Sequence, residues 1–244
     1  MTKFSGLGCK AVTITGGGEP LLYPRINELI EWLYDRDILV GLVTNGTKLE
    51  KLKTNKLVWI RISMNDSRAI DKNKLEETIK WMPTIDWAFS YVVSEKPNMK
   101  NIMDTIRFAN YFNFTHVRLV SDLLNLQNIT MKKIIKEVIL NCIDDNKVIY
   151  QRRKEYTRGT KDCLISLLKP VIGADGKIYP CCGVQYAEKN PSLDYGEKMC
   201  MGSDIDHIWS TQENFDGSDC VKCYYSAYNN VLTEAKSLSH KEFV

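Results

Sequence analysis

Short β-branched runs alternate with amphipathic helical stretches down to about residue 150, and this alternation restricts the fold more than any other feature of the chain. Ala11-Val12-Thr13-Ile14-Thr15 breaks at Gly16-Gly17-Gly18 and reads as a buried strand ending in a loop. Beyond it, Pro24 suits a first helical turn, and Ile26, Leu29, Ile30 and Leu33 recur at helical spacing. The pattern repeats, with strands over Ile38 to Thr44, Leu57 to Met64, Trp87 to Val93 and His116 to Ser121. Helices are predicted near Lys74 to Trp81, Met99 to Phe112 and Met131 to Cys142, and Lys147 to Tyr150 is a further short strand. Strands that alternate with helices join through crossovers, so the sheet is predicted to be parallel, built from five βα units.

Composition narrows the setting. With 244 residues, 44% of them hydrophobic, the chain can bury one large core and carry a small appendage. Apolar runs such as Ile38-Leu39-Val40 are far too short to span a bilayer and no signal segment opens the chain, so a cytoplasmic protein without a membrane partner is expected. The net charge of +3 does not ask for nucleic acid. Met131 to Lys161 does hold nine Lys/Arg against four Asp/Glu, but a solvated surface accounts for that.

Eight cysteines are distributed unevenly. Cys9 and Cys142 stand alone, whereas Cys163, Cys181, Cys182, Cys200, Cys220 and Cys223 crowd towards the end. In a reducing compartment such a cluster points to metal ligation or redox chemistry before disulfides. The shift divides the chain into 1–155, the α/β part, and 156–244, the cysteine-rich part.

Parallel α/β folds place their sites at the carboxyl ends of the strands. Here those ends carry Gly16-Gly17-Gly18-Glu19-Pro20, Thr44-Asn45-Gly46, Ser63-Met64-Asn65, Ser94-Glu95 and Arg118 to Asp122. A triple glycine lets a ligand reach the backbone, and Glu19 can accept from a cationic group on it. A plain turn is the competing reading of the same glycines.

The run Ala11 to Leu22, followed by Leu42-Val43-Thr44-Asn45-Gly46-Thr47, resembles the radical S-adenosylmethionine (SAM) superfamily. Two motifs occur in the right order, separated by one helix. The resemblance implies an open (β/α)6 TIM-like barrel in which Gly16, Gly17, Gly18 and Glu19 hold the amino group of SAM. It also puts Ser63 and Asn65 near the ribose and Val92 to Ser94 near the adenine, while Arg118 is read as a surface or structural arginine. One departure stands out: the family's Cys-x3-Cys-x2-Cys loop, which binds the SAM cluster, does not occur. Cys9 is the sole thiol before Gly16 and is expected to be a buried structural residue. The barrel is therefore expected to be partial, lacking its first βα unit through truncation, a split gene or true loss, with Ala11 to Thr15 as an open sheet edge.

In the cysteine-rich part, Lys169 to Ile172 and Lys177 to Cys181 read as a hairpin turning at Asp175-Gly176, with Cys163 upstream and Cys220-Val221-Lys222-Cys223 later. Four thiolates in two pairs suit a 4Fe-4S cluster or a structural zinc. The spacing resembles the SPASM/twitch domain, which carries an auxiliary 4Fe-4S cluster, and by that resemblance Cys163, Cys181, Cys220 and Cys223 are the ligands. Cys182 and Cys200 are spare. His116, His207 and His240 lack metal-ligand spacing, and Trp32, Trp59, Trp81 and Trp87 read as core.

The resemblance implies an oxidoreductase or maturase that cleaves SAM reductively to a 5′-deoxyadenosyl radical and abstracts hydrogen from a small-molecule or peptide substrate. It also implies an electron donor such as flavodoxin or ferredoxin, and a SAM-binding 4Fe-4S cluster in the complete enzyme. Two alternatives stand beside it. One is a non-catalytic iron-sulfur protein or degenerate homologue acting as electron carrier or partner subunit, and the other is a zinc-stabilised binding protein.

Overall fold

The structure, a computed structural model, describes residues 6–68, 71–122, 128–141 (backbone only for 128–130), 146–151, 157–183, 199–211, 214–220 and 223–236. The chain divides into two compact units, Phe4–Lys154 and a second built on Glu155–Val244.

In the first unit, β1 (Ala11–Ile14), β2 (Leu39–Thr44), β3 (Trp59–Met64), β4 (Asp86–Val93), β5 (His116–Ser121) and β6 (Val148–Gln151) form one sheet. Every pairing is parallel and the spatial order is β1-β2-β3-β4-β5-β6. Four helices follow strands: α1 (Ile26–Tyr34), α2 (Lys72–Trp81), α3 (Met99–Tyr111) and α4 (Asn128–Asn141). Cys142, the expected end of α4, lies outside the described residues. Between β2 and β3 the chain makes only a 3-10 turn, Leu49–Lys51, and then an extended run that buries Leu52, Thr54 and Leu57. Because the strand order never reverses, right-handed crossovers carry all the helices to one face of the sheet. The sheet is thus singly wound, as in a TIM-like barrel, and not doubly wound.

Burial follows from that geometry. Along β3, Ile60 and Ile62 are fully buried while Trp59, Arg61 and Ser63 between them are only half-buried. The helix-covered face is one continuous core in which Ile30 and Leu33 of α1, Leu75 of α2 and Ile102 and Ile106 of α3 meet Leu42, Ile62, Phe89 and Leu119 of the strands. Each such side chain contributes about 1.5–3 kcal/mol relative to exposure. Helix starts are fixed by polar caps: Asp71 accepts from the N–H groups of Asn73 and Lys74 on α2, and Asn98 accepts from that of Asn101 on α3. At the sheet's edge, Ala11 and Thr13 are exposed while Val12 and Ile14 pack against the core.

Two expectations need correction. Of the four tryptophans assigned to the core, Trp87 is buried, but Trp81 is 50% exposed on the outer surface of α2 and Trp59 lies on the face away from the helices. Cys9 is half-buried, with its thiol 3.5 Å from the Ala11 carbonyl. It precedes an edge strand that has no neighbour to cover it among the described residues.

The second unit is sparser. It holds a short helix α5 (Ile165–Leu168), an antiparallel hairpin of β7 (Val171–Ile172) and β8 (Ile178–Tyr179), α6 (Ile205–Thr211) and α7 (Ser226–Lys236). At the hairpin turn, Asp175 accepts from the Lys177 N–H and the Gly176 N–H donates to the Gly173 carbonyl. Its packed cluster among the described residues is small: buried Met199, with Tyr179, Cys181, Phe215 and Cys220 against it.

Candidate functional site

All six strands run the same way, so the loops that follow them share one end of the sheet. At that end the Glu19 carboxylate joins two loops. Its Oε1 accepts from the Leu21 N–H at 3.0 Å and the Thr44 hydroxyl at 2.6 Å, and its Oε2 accepts from the Asn45 N–H at 2.7 Å. Thr44 Oγ1 in turn accepts from the Gly46 N–H at 3.1 Å, and Gly46 takes a φ of 76° that other residues rarely adopt. A carboxylate has about four acceptor sites, so three are used within the chain. The carboxylate therefore serves first as the latch between the glycine loop and the Thr44-Asn45-Gly46 turn, which the linear motif does not reveal.

The three glycines before it behave differently. A Cβ at Gly17 or Gly18 would meet nothing within 4 Å, one at Gly16 would make ordinary contacts at 3.6 Å, and none of the three has a left-handed φ. Neither packing nor backbone conformation of this chain requires glycine there. The loop is exposed and its polar backbone is open to a ligand.

Ser63 and Asn65 follow at the end of β3. Asn65 Oδ1 accepts from the backbone N–H and hydroxyl of Ser67, closing a tight turn, and the Ser63 carbonyl accepts from Arg68 at 2.6 Å. Next to them, Asp66 ties three elements together, which the sequence reading did not identify. It accepts from the Tyr91 hydroxyl at 2.6 Å, the Ser94 hydroxyl at 2.5 Å and the Asn98 N–H at 3.0 Å. Burial opposes its charge, but these three donors outweigh it and hold the carboxyl below the usual range. Burial and Asp66 push the Tyr91 phenol up, so Tyr91 stays protonated and donates. The Val92 to Ser94 segment is thereby anchored to the loop after β3.

In the second unit the four cysteines that the resemblance implies as ligands are free thiols, Cys163 buried and the other three half-buried. Burial pushes Cys181 up to about 12 and Cys220 up to about 11, and raises Cys223. Electrostatic coupling to Cys163 adds a smaller rise at all three. Backbone and side-chain partners hold the sulfurs: the Gly183 N–H donates to Cys181 Sγ at 3.3 Å, and buried Asn229 of α7 reaches Cys163 Sγ at 3.8 Å while accepting from the Ile165 N–H. Glycines let the segments close: a Cβ at Gly159 would lie 2.8 Å from Cys220 Cβ and one at Gly183 3.4 Å from Cys181 Sγ. Cys182 is exposed and contacts the Tyr225 hydroxyl, and Cys200 bonds to the Gly202 backbone. Among the described residues no group of three or more His, Cys, Asp or Glu is preassembled to hold a metal ion. The donor set nevertheless fits a thiophilic centre in its chemistry. Thiols that resist ionisation because they are buried together are those a cation would stabilise as thiolates, and N–H···S bonds are typical of cluster sites.

No helix among the described residues is long and apolar enough to cross a membrane. No family model matches the chain, and no curated protein matches it. The fold is shared with solved structures of SuiB from Streptococcus suis. The SuiB structure bound to S-adenosylmethionine matches at 14% identity with a TM-score of 0.53, over 82% of this chain and 53% of SuiB. The structure bound to the precursor peptide SuiA matches at 13% identity with a TM-score of 0.54 over the same shares. The chain thus spans about half the length of SuiB.

Proposed function

We propose that this chain is part of a radical SAM enzyme: the singly wound sheet binds S-adenosylmethionine, and the cysteine-rich unit is a SPASM/twitch-type domain with an auxiliary 4Fe-4S cluster. The observation that carries the reading is the Gly16-Gly17-Gly18 loop. Its glycines have no structural requirement in this chain, yet they stand at the strand end where ligands bind in parallel α/β folds and are latched by Glu19 to a second motif. The shared fold with SuiB, which binds SAM, supports the same assignment.

In this reading the backbone of Gly16 to Gly18 and the remaining lone pair of Glu19 receive the amino group of SAM. The Thr44-Asn45-Gly46 turn holds Glu19 in place and Ser63 and Asn65 lie towards the ribose. Asp66 fixes the Val92 to Ser94 segment at the adenine. Bound there, SAM would supply one-electron chemistry in the complete enzyme: an electron from a flavodoxin- or ferredoxin-type donor, passed through the SAM-binding 4Fe-4S cluster, would cleave it to methionine and a 5′-deoxyadenosyl radical. The residues around it orient it and exclude water. Cys163, Cys181, Cys220 and Cys223 hold the auxiliary cluster, whose chemistry is electron transfer with the substrate or substrate binding. A peptide substrate is favoured by the SuiB structure with its precursor peptide, and a small molecule is the other class. The site of action is the cytoplasm.

Calorimetric titration of the anaerobically reconstituted protein with SAM tests the reading. Saturable binding that Glu19→Ala weakens at least about tenfold, the loss of a charge-assisted contact, supports it. Absence of binding overturns it.

A further inference from the structure

The face of the sheet opposite the helices is polar and basic. Register places Arg61 of β3 beside Ala88 of β4, which pairs with His116 of β5, and places Ser63 beside Ser90, which pairs with Arg118. Side chains in register share a face. Two arginines, a histidine and two serines therefore converge on three adjacent central strands. Arg118 donates from Nε and Nη2 to the Ser90 hydroxyl at 3.3 and 3.0 Å, so it lies across the sheet and not out in solvent. Of the two roles read for it, surface or structural, this is the structural one.

Arg61 is the less expected group. Its Nε is buried with no hydrogen-bond partner, and it takes part in no ion pair among the described residues. Burial lowers its guanidinium from its ordinary value. The acidic residue of β4 on this face, Asp86, sits opposite Trp59 and is exposed. The chain positions Arg61 even so. The Trp59 indole lies so close over Gly41 of β2 that a Cβ there would come within 2.2 Å of the ring, and the Arg61 guanidinium stands 5.3 Å from the ring centroid. His116 is held neutral by the same setting, since burial and then the charges of Arg61 and Arg118 lower its pKa. A half-buried, oriented guanidinium without an anion is costly unless something supplies one.

We infer that Arg61 and Arg118, with Ser90 and His116, form an oxyanion recess on the open face of the sheet that takes a carboxylate or phosphate group of the substrate. Guanidinium forks match both anions, and the Ser90 hydroxyl completes the donor set. The grouping of these side chains rests on register and on the contacts of Arg61 and Arg118; only naming the occupant a substrate rests on the SAM reading above.

The test uses the full chain, with inorganic phosphate and succinate as probes. The His116 imidazole is followed by NMR, and SAM is titrated separately by calorimetry. An anion beside His116 favours its protonated form, so the expected result is a rise in the His116 pKa that saturates with probe, the tighter probe naming the class. Arg61→Gln and Arg118→Gln should each weaken the probe about tenfold or more, while Arg61→Lys retains part of the affinity and Lys136→Gln, on exposed surface, retains all of it. SAM affinity should not change in either arginine variant. Binding of the probes without binding of SAM would leave the recess standing and remove the proposed function. The inference is overturned if neither probe moves His116, if the shift is as large in Arg61→Gln as in the parent, or if the arginine variants lose SAM in parallel, which would make these residues part of the SAM site.

Discussion

The two units of this chain solve the folding problem by different means. The sheet unit buries a continuous apolar core drawn from all four helices and all six strands, and its polar loops are cross-tied by Glu19 and Asp66. Among its described residues, the cysteine-rich unit gathers its packed cluster around Met199, and two of the residues packed there are cysteines. Small domains with little apolar core commonly depend on disulfides or metals. The contrast teaches where the cofactors matter to folding. On the proposed reading, the sheet unit folds without SAM, whereas the thiol-rich unit is held by a centre that crosslinks Cys163, Cys181, Cys220 and Cys223.

The comparison breaks most directly at those thiols. Anaerobic reconstitution should give about four iron and four sulfide per chain. Cys163→Ala or Cys223→Ala should remove nearly all of it, while Cys182→Ala and Cys200→Ala leave it intact. Limited proteolysis should then cut the second unit and spare the sheet. Full iron in a Cys163→Ala protein would remove that residue from the ligand set, and zinc in place of iron would replace the cluster with a structural zinc.

A smaller effect is expected inside the sheet at Gly41. Alanine there must displace the Trp59 ring, because the Cβ would lie 2.2 Å from it. Overpacking of this kind costs about 1–3 kcal/mol. Thermal unfolding should show the loss, and an unchanged Tm would mean the indole is not held over β2.

Glu19→Gln comes next. It keeps the shape but weakens acceptance from Thr44 and Asn45, replacing bonds to a charged group, worth a net of about 1.5–3 kcal/mol each, by neutral ones worth about 0.5–1.5. Unfolding midpoints should fall, and the fall should be shared with Thr44→Val, since both changes break the same latch. Strict additivity in the double variant would show that the two side chains act separately.

Asp66→Asn is expected to be the mildest. Its native carboxyl lies below the ordinary value of 3.8, so the folded state prefers it ionised. The stabilisation is present above the pKa of the unfolded chain and is lost as pH falls through the native value. The Tm gap between parent and variant should therefore stay constant near neutrality and close in acid. A gap that persists at low pH would assign the effect to packing and not to charge.

Much of the sheet unit was legible in the sequence because β-branched runs and helical spacing report burial directly. The strands at Ala11, Trp87 and His116 and the helix at Met99 sit where the pattern put them. Trp81 misled because an aromatic residue at the end of α2 satisfies the helical period without facing the core. The tie from Glu19 to Thr44, and those from Asp66 to Tyr91 and Ser94, span about 25 residues of sequence, and no local signal announces such a pair. Arg61 and Arg118 were hidden for a related reason. Which side of a strand a residue occupies follows from alternation, but which residues stand beside it follows only from register. Asn229 likewise gives no motif to read, since its role depends on α7 bringing it to Cys163.

The central claim is that the triple glycine serves a ligand and not the fold, and one substitution separates the two. Gly18→Ala meets open space and no backbone strain, so its thermal unfolding should match the parent or rise slightly. Calorimetric titration with SAM should at the same time show affinity reduced by at least about tenfold, because the new methyl group blocks close approach to the backbone. Equal SAM affinity in the two proteins, or a parent that binds no SAM, would contradict the account.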